Sequence, residues 1–307
     1  MPASSPLSDP GDAARMLPAG RKAELAAFVT ELGQVTVARL AERFDVSMDT
    51  IRRDLDQLDT DGVLIRTHGG AVSLSAVPRP DTSLDVRARL QIAAKEAIGA
   101  LAAGLVEDAS SVMINAGTTT LALVRHLRDH RDLTIATNSL RLPAEISPRV
   151  FRDLYLFGGS VRLSAQATVG IVAFPVAAGE SELDMHCDLA LIGVGAVSAQ
   201  SGYSTSNLSE AAMISAMAAR ASKVAVLADS SKFGRRLFAQ IAELGRADYL
   251  VTEAAPPADL ARALADAGVQ VLLPDPSEPA AAPRPRQHDA VDPDDPDDLV
   301  DADGTGG

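Results

Sequence analysis

The chain has 307 residues, 47% of them hydrophobic, which gives room for two domains and a real core. Its formal net charge is −13 at pH 7, only 3% of residues are aromatic, and tryptophan is absent, so alanine does much of the filling. No apolar run is long enough to span a bilayer and the N-terminus lacks a secretory core, so neither a membrane partner nor export is expected.

The single cysteine, Cys187, leaves no intrachain disulfide framework and fits a reducing, cytoplasmic setting; it reads as a small buried side chain. The acidity does not exclude nucleic acid. Much of it falls in residues 273–307, rich in proline and aspartate and expected to be a disordered tail. What a duplex meets is the local charge of the docking surface.

Residues 1–18 read as a flexible leader. The spacing of Leu25, Phe28, Val29 and Leu32 predicts a first helix that stops at Gly33. Thr36 caps a second, VARLAERF, whose Val37, Leu40, Ala41 and Phe44 form its packed face. Asp45-Val46 is a tight turn, and Ser47 caps a third helix with Asp49 in its first turn. Ile51, Leu55 and Leu58 make the buried stripe of that helix and leave Met48, Thr50, Arg52, Arg53 and Gln57 on the other faces.

Three helices with this short turn fit a helix-turn-helix, and the strand-like run from Val63 to Val72 fits a two-stranded wing. The expected docking puts the third helix in a major groove and the wing on phosphates or the minor groove. Thr36, Ser47, Met48, Asp49, Thr50, Arg52, Arg53, Arg66 and His68 are therefore the candidate contacts to a double-stranded DNA operator. Among them Met48, Asp49 and Arg52 are placed for base edges and Arg53 for phosphate. The winged domain is expected over 19–75 and a proline-bearing linker over 76–90.

Over 91–272 an alanine-rich helix is followed by repeated units of apolar strand, small-residue turn and helix: SVMINAGTTT, DLTIATNS, LYLFGGS, LALIGVG and KVAVLADSSKFG. Such units imply an α/β domain with a mostly parallel sheet, whose ligands bind at the carboxyl ends of the strands. Those ends carry Asn115, Gly117, Thr118, Thr119, Thr120, Asn138, Ser139, Gly158, Gly159, Asp229 and Lys232. Backbone N–H groups and hydroxyls at a helix start, with Lys232 and Lys95 as cations, suit a phosphorylated small molecule. Neither a dinucleotide fingerprint nor a P-loop is present, and no cluster has metal-ligand spacing, so no cofactor and no metal are expected. An isomerase reading would use Asp184, Asp188, Asp229 and Lys95 for acid–base chemistry; fusion to a DNA-binding unit favours sensing over turnover.

Taken together these motifs resemble the DeoR family of bacterial transcriptional regulators over residues 20–255. VSMDTIRRDLDQLDTDGVLIRTHGGAV is similar to its recognition helix and wing, and NAGTTT, TNS, FGG, Gly170, CDLALIGVGAV, GYST and DSSKFG follow in the family's order. The resemblance implies a repressor of sugar or nucleoside catabolism released by a phosphorylated sugar, with a sensor domain like ribose-5-phosphate isomerase but without turnover. It also implies DNA contacts from Thr50, Arg52 and Arg53, and a pocket lined by Gly117 to Thr120, Asn138, Gly159 and Lys232. Asn115 departs from the family's usual aspartate; it keeps hydrogen bonding and loses a charge. The expected assembly is a homodimer or homotetramer. An effector-independent DNA-binding regulator and an isomerase with an appended domain are the alternatives.

Overall fold

The computed structural model describes residues 18–74, 76, 82–172 and 185–275; the expected leader except Pro18, most of the expected tail, part of the linker and Asp184 lie outside them. The N-terminal unit contains α1 (Pro18–Leu32), β1 (Gln34–Thr36), α2 (Val37–Phe44), α3 (Met48–Thr60), β2 (Leu64–Thr67) and β3 (Gly70–Ser73). Leu25, Val29, Leu40, Phe44, Ile51 and Leu55 close one core between the three helices. Leu32, expected on the same face of α1, is exposed at the helix end, where Gly33 takes φ 74°.

Capping sets the helix borders. Thr36 accepts from the Arg39 amide at 3.3 Å, and Ser47 accepts from the Thr50 amide at 3.2 Å. Asp45 turns the chain between α2 and α3 in the left-handed region, φ 49° and ψ 48°. The wing is three-stranded, in the order β1-β3-β2, one strand more than expected. The extra strand arises because Gln34, Val35 and Thr36 pair with Val72, Ala71 and Gly70. Gly70 permits this, since a Cβ there would sit 2.0 Å from the Val35 carbonyl oxygen. Arg21 ties α1 to α3 by a 2.7 Å ion pair with the buried Asp54.

Within the stretch expected to be linker lies α4 (Leu84–Arg89), followed by α5 (Ile92–Ala103). The remaining elements are β4 (Ser111–Ile114), α6 (Thr118–His126), β5 (Leu133–Thr137), α7 (Leu142–Glu145), β6 (Phe151–Leu156), β7 (Ser160–Arg162) and β8 (Ala167–Val169). They continue with β9 (Cys187–Gly193), β10 (Ala196–Ser198), β11 (Gly202–Thr205), α8 (Leu208–Ala219) and β12 (Ala221–Leu227). Last come β13 (Ala239–Ala242), β14 (Tyr249–Val251), α9 (Ala258–Asp266) and β15 (Gln270–Leu272).

Seven strands form one sheet in the order β15-β14-β12-β9-β4-β5-β6, with every pairing parallel. Its central strands are buried on both faces by two apolar clusters, one containing Ile98, Leu123, Ile135 and Leu191, the other Met213, Met217, Val224 and Leu260. Chain order runs outward from β4 on one side and from β9 on the other, so the sheet's topological switch point lies between these two neighbours. Two small antiparallel sheets, β10-β11-β13 and β7-β8, stand outside it. Cys187 is buried at the start of β9, where burial pushes its thiol up to about 11.

Candidate DNA-binding surface and ligand cleft

The recognition helix α3 presents its N-terminal turns outward. Met48 is 48% exposed, and Asp49, Arg52 and Arg53 are exposed. Arg52 Nη1 donates to Asp49 Oδ1 at 2.6 Å across one helical turn, which orients the guanidinium along the helix face. Arg53 has no ion pair within 4 Å among the described residues and is available to a phosphate. Thr50 and Ser47 share a 2.9 Å hydroxyl contact, so Ser47 acts first as a cap. Thr36 is likewise engaged in capping α2.

In the wing, His68 and Gly69 are exposed at the two-residue turn between β2 and β3. Arg66 turns back to α3, pairing with Asp56 at 2.7 Å. Its half-exposed guanidinium makes a phosphate contact only by exchanging that partner.

At the switch point the carboxyl ends of β4 and β9 open into a cleft lined by Ala116, Thr118, Thr119, Gly193 and Val194. Gly117 caps α6 without any side-chain bond, so the first amides of that helix carry no side-chain acceptor. Five cations line the same cleft: Arg87, Lys95, Arg162, Lys232 and Arg235. Among the lining residues the one carboxylate is Glu210, already engaged by Arg162 at 2.7 Å and by the Thr205 hydroxyl at 2.8 Å; Asp229 lies behind the lysines. A cleft with this charge and a helix N-terminus in its wall is built for an anion.

The lysines are strained electrostatically. Lys95 is 5% exposed, and burial, only partly offset by Asp229, lowers its ammonium to about 8. Lys232 is lowered by burial too, with Asp229 Oδ2 3.9 Å away. Asp229 is buried beneath them, its Oδ1 taken by Ser231 and its Oδ2 without a hydrogen bond. An anionic ligand stabilises the charged lysines and answers this local excess of positive charge.

Of the residues expected at the ligand site, Lys95, Thr118, Thr119 and Lys232 line the cleft directly. Others build its walls. Asn138 Oδ1 accepts from the Ala116 amide at 2.7 Å while its Nδ2 donates to the Thr168 carbonyl at 2.8 Å. Thr120 donates to the Asn115 carbonyl at 2.7 Å. Asn115 is committed to Gly193, and Ser139 accepts from the Leu142 amide at 3.2 Å. Gly159, at φ 127°, lets β7 pass close to Val169, and neither it nor Gly158 is among the cleft's lining residues. Asp188 lies at the opposite end of the sheet, bonded to the Ser111 amide and hydroxyl at 2.8 and 2.7 Å. It cannot share one acid–base site with Lys95.

Arg87, Arg162, Arg235 and Glu210 escaped the sequence reading, and Thr205 entered it only as the end of the GYST motif, without a role. Arg235 lies three positions after Lys232; the others reach the cleft from α4, the β7 end, β11 and α8. Among the described residues no group of histidine, cysteine, aspartate or glutamate could hold a metal ion, and no helix is long and apolar enough to cross a membrane.

A winged helix-turn-helix joined to an α/β unit with an anion cleft at its switch point defines a one-chain, ligand-sensing DNA-binding regulator. The DeoR-like helix-turn-helix domain matches residues 21–77 and the DeoR C terminal sensor domain matches residues 90–254. The chain belongs to the DeoR family of transcriptional regulators.

It is 34% identical over 258 residues to the HTH-type transcriptional regulator GlpR of Haloferax volcanii, covering 84% of this chain and 98% of that protein. It is 32% identical over 246 residues to the HTH-type transcriptional repressor GlcR of Bacillus subtilis, covering 80% and 92%. The glycerol-3-phosphate regulon repressor of Escherichia coli matches at 28% over 249 residues, covering 80% and 94%. The chain is thus a DNA-binding transcriptional regulator and not an enzyme. Among solved structures, ribose 5-phosphate isomerase from Plasmodium falciparum aligns with a TM-score of 0.31 at 10% identity, covering 45% of this chain and 53% of that one.

Proposed function

We infer that the chain is a cytoplasmic repressor of a carbohydrate or nucleoside catabolism operon, released from its operator by a phosphorylated sugar. The observation that carries this reading is the cleft at the β4–β9 switch point, with five cations against the engaged Glu210 and the buried Asp229, and with the uncapped start of α6. A phosphate dianion matches that charge and takes backbone amides as readily as guanidinium groups.

The hydroxyls of Thr118, Thr119 and Thr205 and the carboxylate of Glu210 give the sugar hydroxyls of such a ligand their partners. Repressors among the relatives, GlcR and the glycerol-3-phosphate regulon repressor, support the sign of regulation. On the DNA side, Met48, Asp49 and Arg52 read base edges, Thr50 and Arg53 hold phosphate, and the wing follows with Arg66 and His68. Two such modules in a homodimer or homotetramer bind paired half-sites.

The test is calorimetric titration of the full chain with glycerol 3-phosphate, glucose 6-phosphate and ribose 5-phosphate, each beside its unphosphorylated parent. At least one phosphorylated compound binds and its parent does not. Failure of all three to bind, or equal binding of the parents, overturns the reading.

A further inference from the structure

The helix α4 touches four separate neighbours in six residues. Leu84 is buried in the core of the α/β unit, and Asp85 is held there by Arg141 at 3.2 Å. Arg87 lines the ligand cleft, and its Nε is buried without a hydrogen-bond partner. On the side toward the DNA-binding unit, Val86 and Leu90 pack on Ile65 and Val72 of the wing strands. Arg89 Nη2 pairs with Asp59 Oδ1 at 2.8 Å, and the same carboxylate oxygen accepts the Arg66 amide at 3.0 Å. Asp59 lies in the last turn of the recognition helix.

The cleft is wired to this helix a second time. Lys95 Nζ donates to the Arg87 carbonyl at 2.5 Å and to the Leu90 carbonyl, fixing the C-terminal end of α4. The ammonium that faces the cleft is therefore the one that holds the segment seated on the wing. An anion drawn to Arg87 and Lys95 pulls on the C-terminal half of that short helix. The displacement needs only to be small, because packed interfaces rearrange between discrete states.

We propose that Arg87 is the cleft's principal contact for the ligand's phosphate, and that α4 transmits its occupancy to the recognition helix through the Arg89–Asp59 pair and the Leu90–wing contact. The proposal rests on the reading of the cleft as a phosphorylated-ligand site. It adds the residue that senses the phosphate and the route by which the DNA-binding unit responds. The route is contiguous, as coupling of this kind demands, and it predicts variants that bind both partners yet no longer connect them.

The experiment compares wild type with Arg89→Ala, Arg89→Lys, Val86→Ala and Arg87→Met in the full chain. Each is titrated by calorimetry with the three sugar phosphates, and each is titrated on a duplex from the gene's own upstream region with and without them. In wild type, a compound that binds weakens the DNA complex by tenfold or more. Arg89→Ala and Val86→Ala bind that compound within twofold of wild type, yet its effect on DNA affinity shrinks at least fivefold, and Arg89→Lys restores most of it. Arg87→Met binds the compound at least tenfold more weakly.

Retained ligand binding shows that the Arg89 and Val86 variants are folded. If both respond on DNA as strongly as wild type, the transmission route is overturned while the pocket stands. If Arg87→Met binds the compound as wild type does, the assignment of Arg87 is overturned. If no compound binds wild type, the pocket falls, and this proposal with it.

Discussion

Asn115 clasps Gly193 with both ends of its amide: Nδ2 donates to the Gly193 carbonyl at 2.9 Å and Oδ1 accepts the Gly193 amide at 2.8 Å. The pair joins the ends of β4 and β9 at the switch point, so it sets the width of the cleft floor. An aspartate, which the resemblance places at this position in the family, offers no donor to the Gly193 carbonyl. Asn115→Asp is expected to lose about 1–3 kcal/mol, as a buried carbonyl loses its donor. Burial raises the new carboxyl above its unfolded value near ~3.9, so the loss is small at low pH and grows as pH rises past that value. Urea denaturation at pH 5 and pH 8 checks this; equal stability of variant and wild type at both pH values contradicts it.

Gly99 sits where α5 crosses α6, and a Cβ there would stand 2.7 Å from the Leu123 amide nitrogen and 2.8 Å from the Ala122 carbonyl carbon. Both are backbone atoms and cannot swing aside. Gly99→Ala is expected to cost about 1–3 kcal/mol through overpacking. Thermal denaturation then shows a midpoint lowered by roughly 2–4 °C for each kcal/mol. An unchanged midpoint means the two helices separate freely, against the packing described.

The two arginines of α3 are expected to fail in different ways. Arg52, oriented by Asp49, is placed for a base edge, so Arg52→Ala is expected to cost about 1–3 kcal/mol and to relax preference at one operator position. Arg53→Ala is expected to weaken all duplexes alike and to reduce the salt dependence of binding by about one phosphate contact. Binding assays on the operator, on single-base variants and over a salt series separate the two. Loss of sequence preference in Arg53→Ala with none in Arg52→Ala would reverse the assignment.

Ligand binding is expected to depend on pH through Lys95. Its ammonium, lowered to about 8 mainly by burial, is charged at neutral pH and neutral above that value. Affinity for a phosphorylated ligand therefore falls as pH rises from 7 to 9, with uptake of a proton on binding in that range. Below roughly pH 6 the ligand's phosphate loses its second charge and affinity falls again. Calorimetry in buffers of different ionisation enthalpy measures the proton uptake. Lys95→Met should abolish the alkaline fall; its persistence assigns the effect to another group.

The helices of the DNA-binding unit were legible because their signals are local. Thr36 and Ser47 cap, Gly33 stops, and Ile51, Leu55 and Leu58 recur at helical spacing. Strand β1 was not legible, since its three residues pair with Val72, Ala71 and Gly70 far along the chain. The six-residue helix α4 falls within the expected linker; Leu84 and Leu90 stabilise it by packing on two different units. In the cleft, lysines and threonines within recognisable turns could be placed at strand ends from their motifs. Arg87 and Arg162 could not, because a lone arginine acquires meaning only when the fold carries it to a shared wall.

The most direct measurement is operator affinity of the full wild-type chain with and without saturating sugar phosphate. The cleft and the recognition helix belong to one switch, so at least one phosphorylated sugar is predicted to weaken the operator complex tenfold or more, about 1.4 kcal/mol of coupling. Its unphosphorylated parent is predicted to have no effect. Unchanged operator affinity with every phosphorylated compound, including any that binds the cleft, would contradict the account.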